Sequence, residues 1–106
     1  MNEAPNLVYI KELADGSKDF EQKLIAIITR EFAEEKNEFF ENYNGKLYLK
    51  TAENVHKIKH KIGMLGFEKG YQTAVDFEEG LKENDPSLYS KFILILESIE
   101  HFLKTL

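Results

Sequence analysis

An all-α fold, an antiparallel up-down four-helix bundle with a short extra helix at its N-terminus, follows from three features of the sequence. Apolar residues recur at helical spacing along most of the chain, and strand-like alternation is nearly missing. The two prolines, Pro5 and Pro86, mark ends and not interiors. The connections between periodic segments are short, which makes successive helices antiparallel neighbours.

The elements follow in order. Pro5 precedes Leu7, Val8, Ile10 and Leu13, a brief first helix stopped by Asp15-Gly16-Ser17. Ser17 is the expected N-cap of a long second helix from Lys18 to Tyr43, closed by Asn44-Gly45. A third helix is expected from Leu49 or Lys50, with Thr51 as cap, to Leu65, and Gly66 permits a break. A fourth takes Glu68 to Lys82, weakened by Gly70 and Gly80. Asn84-Asp85-Pro86 restarts the chain, with Asp85 as cap and Pro86 at the first helical position. The fifth helix, Pro86 to Lys104, carries Leu88, Phe92, Leu96, Ile99 and Leu103 at helical spacing. No internal repeat, low-complexity run or linker divides the chain, so 1–106 reads as a single domain.

Composition narrows the function classes. The 106 residues are 42% hydrophobic, enough for one compact core. Lys and Arg number 14 against 19 Asp and Glu, a formal charge of −5, which speaks against a nucleic-acid partner bound through its phosphates. Without cysteine there is no disulfide, thiolate chemistry or Cys-ligated metal. No apolar run nears the roughly 20 residues that span a bilayer. Met1 to Pro5 lacks the basic and apolar regions of a signal peptide. The expectation is a cytoplasmic protein with no membrane association.

The segment that carries chemistry is Val55 to Gly66. On a helix Val55, Ile58, Ile62 and Leu65 share one face, the core, while His56, Lys59, His60 and Gly63 share the opposite one. A solvated basic face is the ordinary reading of such a surface. Two details weigh against it. Gly63 costs about 0.5–1 kcal/mol in a helix interior relative to Ala, and its missing side chain clears the surface near His56. His56, Lys57, Lys59, His60 and Lys61 form a cationic cluster, read as unpaired, within an acidic protein. That cluster favours an incoming anion. His56 and His60 also have the i, i+4 spacing of two helical metal ligands, but Lys57 stands where an HExxH motif has Glu. Lys57 and Lys59 oppose a divalent ion, so no metal is expected. An exposed imidazole is a nucleophile near neutral pH, able to take a phosphoryl group on Nε2 when an acceptor on the Nδ1–H side fixes its tautomer. Lys59 would offset the phosphoryl charge.

His56-Lys57-Ile58-Lys59, followed by Gly63 and Leu65-Gly66, resembles the signature of histidine phosphotransfer (HPt) domains of bacterial phosphorelays. In that signature His-x-(Leu/Ile)-Lys-Gly-(Ser/Ala) precedes a Leu/Val-Gly pair. Leu7 to Phe20 resembles the family's N-terminal segment, and Ala74 to Leu81, with Phe77-Glu78-Glu79, its helix after the signature. The resemblance implies that His56 accepts the phosphoryl group, that Lys59 assists and that Gly63 leaves room for the partner. It also implies that Glu78, otherwise a solvated helix carboxylate, flanks and orients His56. His60 departs from the pattern, standing where the family has glycine. It bears on partner approach and raises the question of which histidine is modified. The flanking Ile58-Lys59 and Gly63 select His56.

The second helix is apolar along two stripes. Ile25, Ile28, Phe32, Phe39 and Tyr43 form one, and Phe20, Leu24 and Ile27, continuing to Glu31, form another about 100° away. One stripe suffices for a bundle core. The second is either covered by a wide core or the first helix, or is a docking surface that Tyr9 and Leu13 extend. In proteins of the resembled family a patch there receives the receiver domain.

The expectation is a monomeric phosphorelay intermediate, a phosphoryl carrier and not an enzyme in its own right. Its partners would be receiver domains of response regulators and hybrid histidine kinases. The chain needs no cofactor of its own, since Mg²⁺ belongs to the partner's phospho-aspartate site. No nucleotide-binding or kinase motif is present, so ATP alone should not label it. The alternative is a non-catalytic helical adaptor that binds receiver domains without transfer.

Overall fold

The structure is a computed structural model describing residues 3–106. Met1 and Asn2, which open the segment read above as lacking a signal peptide, lie outside the described residues. All regular structure among the described residues is helical: α1 (Val8–Ala14), α2 (Lys18–Asn44), α3 (Tyr48–Met64), α4 (Glu68–Lys82) and α5 (Tyr89–Lys104). The body measures 44 × 30 × 20 Å, its long axis suited to the 27-residue α2. No helix is long and apolar enough to cross a membrane among the described residues.

The caps explain most boundaries. Asp15 and Gly16 both take positive φ, reversing the chain after α1, and Ser17 Oγ accepts a hydrogen bond from Phe20 N–H at 3.1 Å. Ser17 therefore caps α2 as its sequence position predicts. Gly66, at φ +68°, breaks the chain between α3 and α4. A side chain there would also collide with Asn6, whose backbone N–H donates to Leu65 O at 2.7 Å. The segment before α1 is thus laid across the α3–α4 turn, and Glu3 accepts from Lys69 N–H on the far side of it.

Two local expectations are corrected. Thr51 does not cap α3. The helix starts three residues earlier, and the fully buried Thr51 hydroxyl donates back to Leu47 O at 2.8 Å, an i−4 bond available inside a helix. α2 ends at Asn44 with Gly45 as its C-cap, as the sequence predicts, and the left-handed residue is the next one, Lys46, at φ +59°. Pro86 does not begin α5. The Asp85 carboxylate accepts from Ser87 N–H and Pro86 O accepts from Tyr89 N–H, so Asp-Pro makes a turn of its own before the helix starts at Tyr89.

The core forms as the periodicity requires. Val55, Ile58, Ile62 and Leu65 of the α3 segment are fully buried, against Phe77 and Leu81 of α4 and Phe92, Leu96 and Ile99 of α5. Phe39 of α2 is the hub of an aromatic cluster, its ring 5.2 Å from Phe92 and 6.2 Å from Phe77. α2 is tied to α5 by the Lys36–Glu100 ion pair and to α3 by Asn42, whose amide donates to Asn54 Oδ1 at 2.7 Å. Buried Asn54 in turn donates to Glu38, so its polar groups are satisfied.

Candidate functional site around His56

α3 presents His56 outward because its neighbours in helical register, Val55 and Ile58, are locked in the core. The His56 side chain keeps 52% of its surface exposed. Beneath it lies Glu78 of α4, only 8% exposed, held by its neighbour Phe77 in the aromatic cluster. Glu78 Oε2 is 3.2 Å from His56 Nδ1, and Glu78 Oε1 accepts from Lys59 Nζ at 2.9 Å. Lys82, one turn further on α4, brings its ammonium to 3.4 Å from the same carboxylate.

Burial alone raises the pKa of Glu78. The hydrogen bond and charge of Lys59, with the charge of His56 and the Lys82 hydrogen bond, outweigh it and hold the carboxyl below its ordinary value. Glu78 is therefore a carboxylate at neutral pH and can only accept. His56 Nδ1 must carry the hydrogen, and in the neutral ring the lone pair lies on Nε2. Glu78 is not the solvated helix carboxylate of its ordinary reading.

Lys59 and Lys61 of the cationic cluster are paired, which corrects the sequence expectation of an unpaired cluster. Lys59 is folded inward, its side chain 12% exposed with the amine on Glu78 and 5.9 Å from the Tyr71 ring centre. Lys61 is directed to α2, 3.1 Å from Glu31 and 3.2 Å from Glu35. Burial lowers the Lys61 pKa, but the hydrogen bonds and charges of these two glutamates more than reverse it, and the net shift is upward. The reason is three-dimensional: α3 lies between two helices that each turn a carboxylate toward it. His56 and His60 remain on the exposed strip between those pairs. Their rings meet edge to face, with centres 4.9 Å apart and Nε2 atoms 3.4 Å apart.

Gly63 is exposed, but the space over it is shared. A Cβ there would meet the Tyr71 ring of α4 at 3.3 Å. On the second stripe of α2, Phe20 is 46% and Ile27 41% exposed, whereas Leu24 is half-buried and packs on the core. Tyr9 and Leu13 of α1 are each 46% exposed. The stripe is thus neither wholly covered nor wholly free, and it ends at Glu31, the partner of Lys61.

Sequence reasoning missed Lys82 and Tyr71. The first had a readable signal, the i, i+4 spacing from Glu78. The second had none, because a tyrosine on one helix does not declare that it fills the space beside a glycine on another. An open groove lined by Leu49, Ala52, Glu53, Glu78 and Lys82 runs up to His56. Among the described residues no group of three or more His, Asp or Glu side chains is placed to hold a metal ion. No protein-family model, curated protein or solved structure matches the chain.

Proposed function

We propose that this protein is a phosphoryl carrier of the histidine phosphotransfer kind, with its helices forming an antiparallel four-helix bundle to which α1 is added. The observation that carries the reading is the contact between Glu78 and His56 Nδ1, which puts the lone pair of this exposed ring on Nε2. That is the arrangement a nucleophilic imidazole needs, with the attacking lone pair on one ring nitrogen and the orienting acceptor on the other.

In this reading Nε2 attacks the phosphorus of a receiver domain's phospho-aspartate. The N–P bond forms, the P–O bond to the aspartyl oxygen breaks, and its electron pair leaves with that carboxylate. The imidazole becomes a cation carrying hydrogen on Nδ1, and Glu78 compensates that charge. Lys59 keeps Glu78 ionised, and in this reading also supplies positive charge near the phosphoryl oxygens. The partner contributes Mg²⁺ and most of the transition-state stabilisation. Exposed Tyr9, Leu13, Phe20 and Ile27, with the outer part of Leu24, are the proposed docking surface, and His60 and Gly63 line the approach to His56.

Incubation with receiver domains charged by acetyl phosphate, followed by detection of phosphohistidine, tests this. Labelling is expected in the wild type, lost in His56→Gln and retained in His60→Gly. ATP and Mg²⁺ alone should give none. Binding of receiver domains without any label would instead identify a helical adaptor.

A further inference from the structure

The proximity of the two imidazoles has a consequence for the tautomer of each. With hydrogen on His56 Nδ1, its Nε2 offers a lone pair toward His60 Nε2, 3.4 Å away. Two facing lone pairs would repel, so a hydrogen belongs between the nitrogens. His56 has already placed its own on the Glu78 side. The hydrogen therefore sits on His60 Nε2, which donates to His56 Nε2. One buried carboxylate fixes both rings in sequence: Glu78 accepts from His56 Nδ1–H, and His56 Nε2 accepts from His60 Nε2–H.

We propose that His60 is a positioning residue that caps the nucleophilic lone pair of His56 in the resting protein and is displaced when a phosphoryl donor arrives. The proposal rests on His56 Nε2 being the phosphoryl acceptor. The atom capped is the atom that must attack, so the bond to His60 is lost before or as the N–P bond forms. Displacement is easy by construction. Both rings are exposed, the contact is long, and among the described residues the His60 ring makes no other hydrogen bond. The helix backbone need not move, because rotation about the His60 side-chain bonds clears the line of approach. A glycine at this position would leave Nε2 permanently open. His60 holds the ring still and shields the lone pair from casual donors, while Glu78 keeps the tautomer set.

The test uses the full-length protein and potassium phosphoramidate, a donor that needs no partner. Its P–N bond breaks as His56 Nε2 takes the phosphoryl group, and ammonia leaves. Loading is followed by ³¹P NMR, and ring tautomers by long-range ¹H–¹⁵N spectra at a pH where both rings are neutral. The spectra are expected to show His56 as the Nδ1–H form and His60 as the Nε2–H form, with His56→Gln releasing His60 from that form. His60→Ala should load about two- to tenfold faster than wild type, the worth of one modest hydrogen bond. His60 found as the Nδ1–H form, or equal or slower loading of His60→Ala, overturns the cap while leaving His56 as acceptor. Absence of label on wild type and variant alike, with phosphoramidate and with charged receiver domains, overturns the acceptor reading and the cap with it. Phosphate found on His60 overturns both roles.

Discussion

Glu78 Oε2 and His56 Nδ1 lie 3.2 Å apart across the α3–α4 interface, so a carboxylate buried on one helix sets the tautomer of an exposed ring on another. Glu78→Gln keeps the shape but replaces a group that only accepts with one that also donates. On the proposed reading, phosphoryl acceptance by His56 is expected to fall about 10- to 100-fold, the worth of a hydrogen bond to a charged group. Initial labelling rates from a charged receiver domain measure this, and circular dichroism shows that the helices persist.

The same carboxylate gives stability a pH dependence of known sign. Its folded pKa lies below its unfolded value, because Lys59, His56 and Lys82 together outweigh the cost of burial. The stabilisation is present above the unfolded carboxyl pKa and is lost as pH falls through the folded one. Urea denaturation across the acid range should show a decline below about pH 4.3, and the decline should be shallower in Glu78→Gln. An unchanged acid limb would show that other carboxylates carry it.

Gly63 and Gly80 should respond oppositely to alanine. At Gly63 the new methyl meets the Tyr71 ring at 3.3 Å, and that ring is exposed enough to yield. Gly63→Ala should be neutral to stabilising, and in a Tyr71→Ala background it should gain the full helix propensity of about 1 kcal/mol. At Gly80 the methyl would lie 2.8 Å from Asp85 O, a backbone atom of the α4–α5 turn that cannot swing aside. Gly80→Ala should cost about 1–3 kcal/mol. Thermal and urea unfolding of the variants decide both.

Adjacent isoleucines on α2 separate docking from folding. Ile28 is in the core, and Ile28→Ala should cost about 2–5 kcal/mol. Ile27 is exposed, and Ile27→Asp should leave stability within about 0.5 kcal/mol of wild type. If its stripe docks receiver domains, Ile27→Asp slows transfer from them but not loading by phosphoramidate. Unaltered transfer would remove the stripe from the interface.

Lys61 gives a prediction on the other flank of α3. Lys61→Met keeps the packing of the stem but takes the cation from Glu35, which is largely buried and has one oxygen without a partner. The loss should be about 1–3 kcal/mol by urea denaturation. The raised pKa of Lys61 implies stabilisation that is intact below its unfolded value and fades as pH climbs through the folded one, so the wild-type advantage should shrink only in strong alkali.

Where a signal was local, the fold was legible. Ser17 caps α2, Gly66 ends the α3 segment, and the α4 limits coincide with those read from Glu68 and Lys82. The core face of α3 followed from periodicity alone. Errors arose where one residue pattern serves two local structures. Asp85-Pro86 makes a turn as readily as a helix start, and Thr51 bonds backward within a helix as readily as forward at its cap. At the site, the exposed His56 face was legible and the charge pairing was not. Lys59 and Lys61 read as a joint cationic surface until α4 and α2 each supply a carboxylate. Helical spacing tells which residues share a face but not what a neighbouring helix sets against them.

Phe77 and Glu78 are consecutive, one an aromatic spoke of the core and the other the ligand of His56. Helix geometry separates them by about 100°, so any rotation of α4 about its axis moves both by the same angle. The alignment of the His56 ring is thereby geared to the interior: a turn large enough to take Glu78 off His56 would also drag Phe77 off Phe39 and Phe92. Wear in the core, from a truncated Phe92 for instance, should surface as play in the imidazole before the helices themselves come apart.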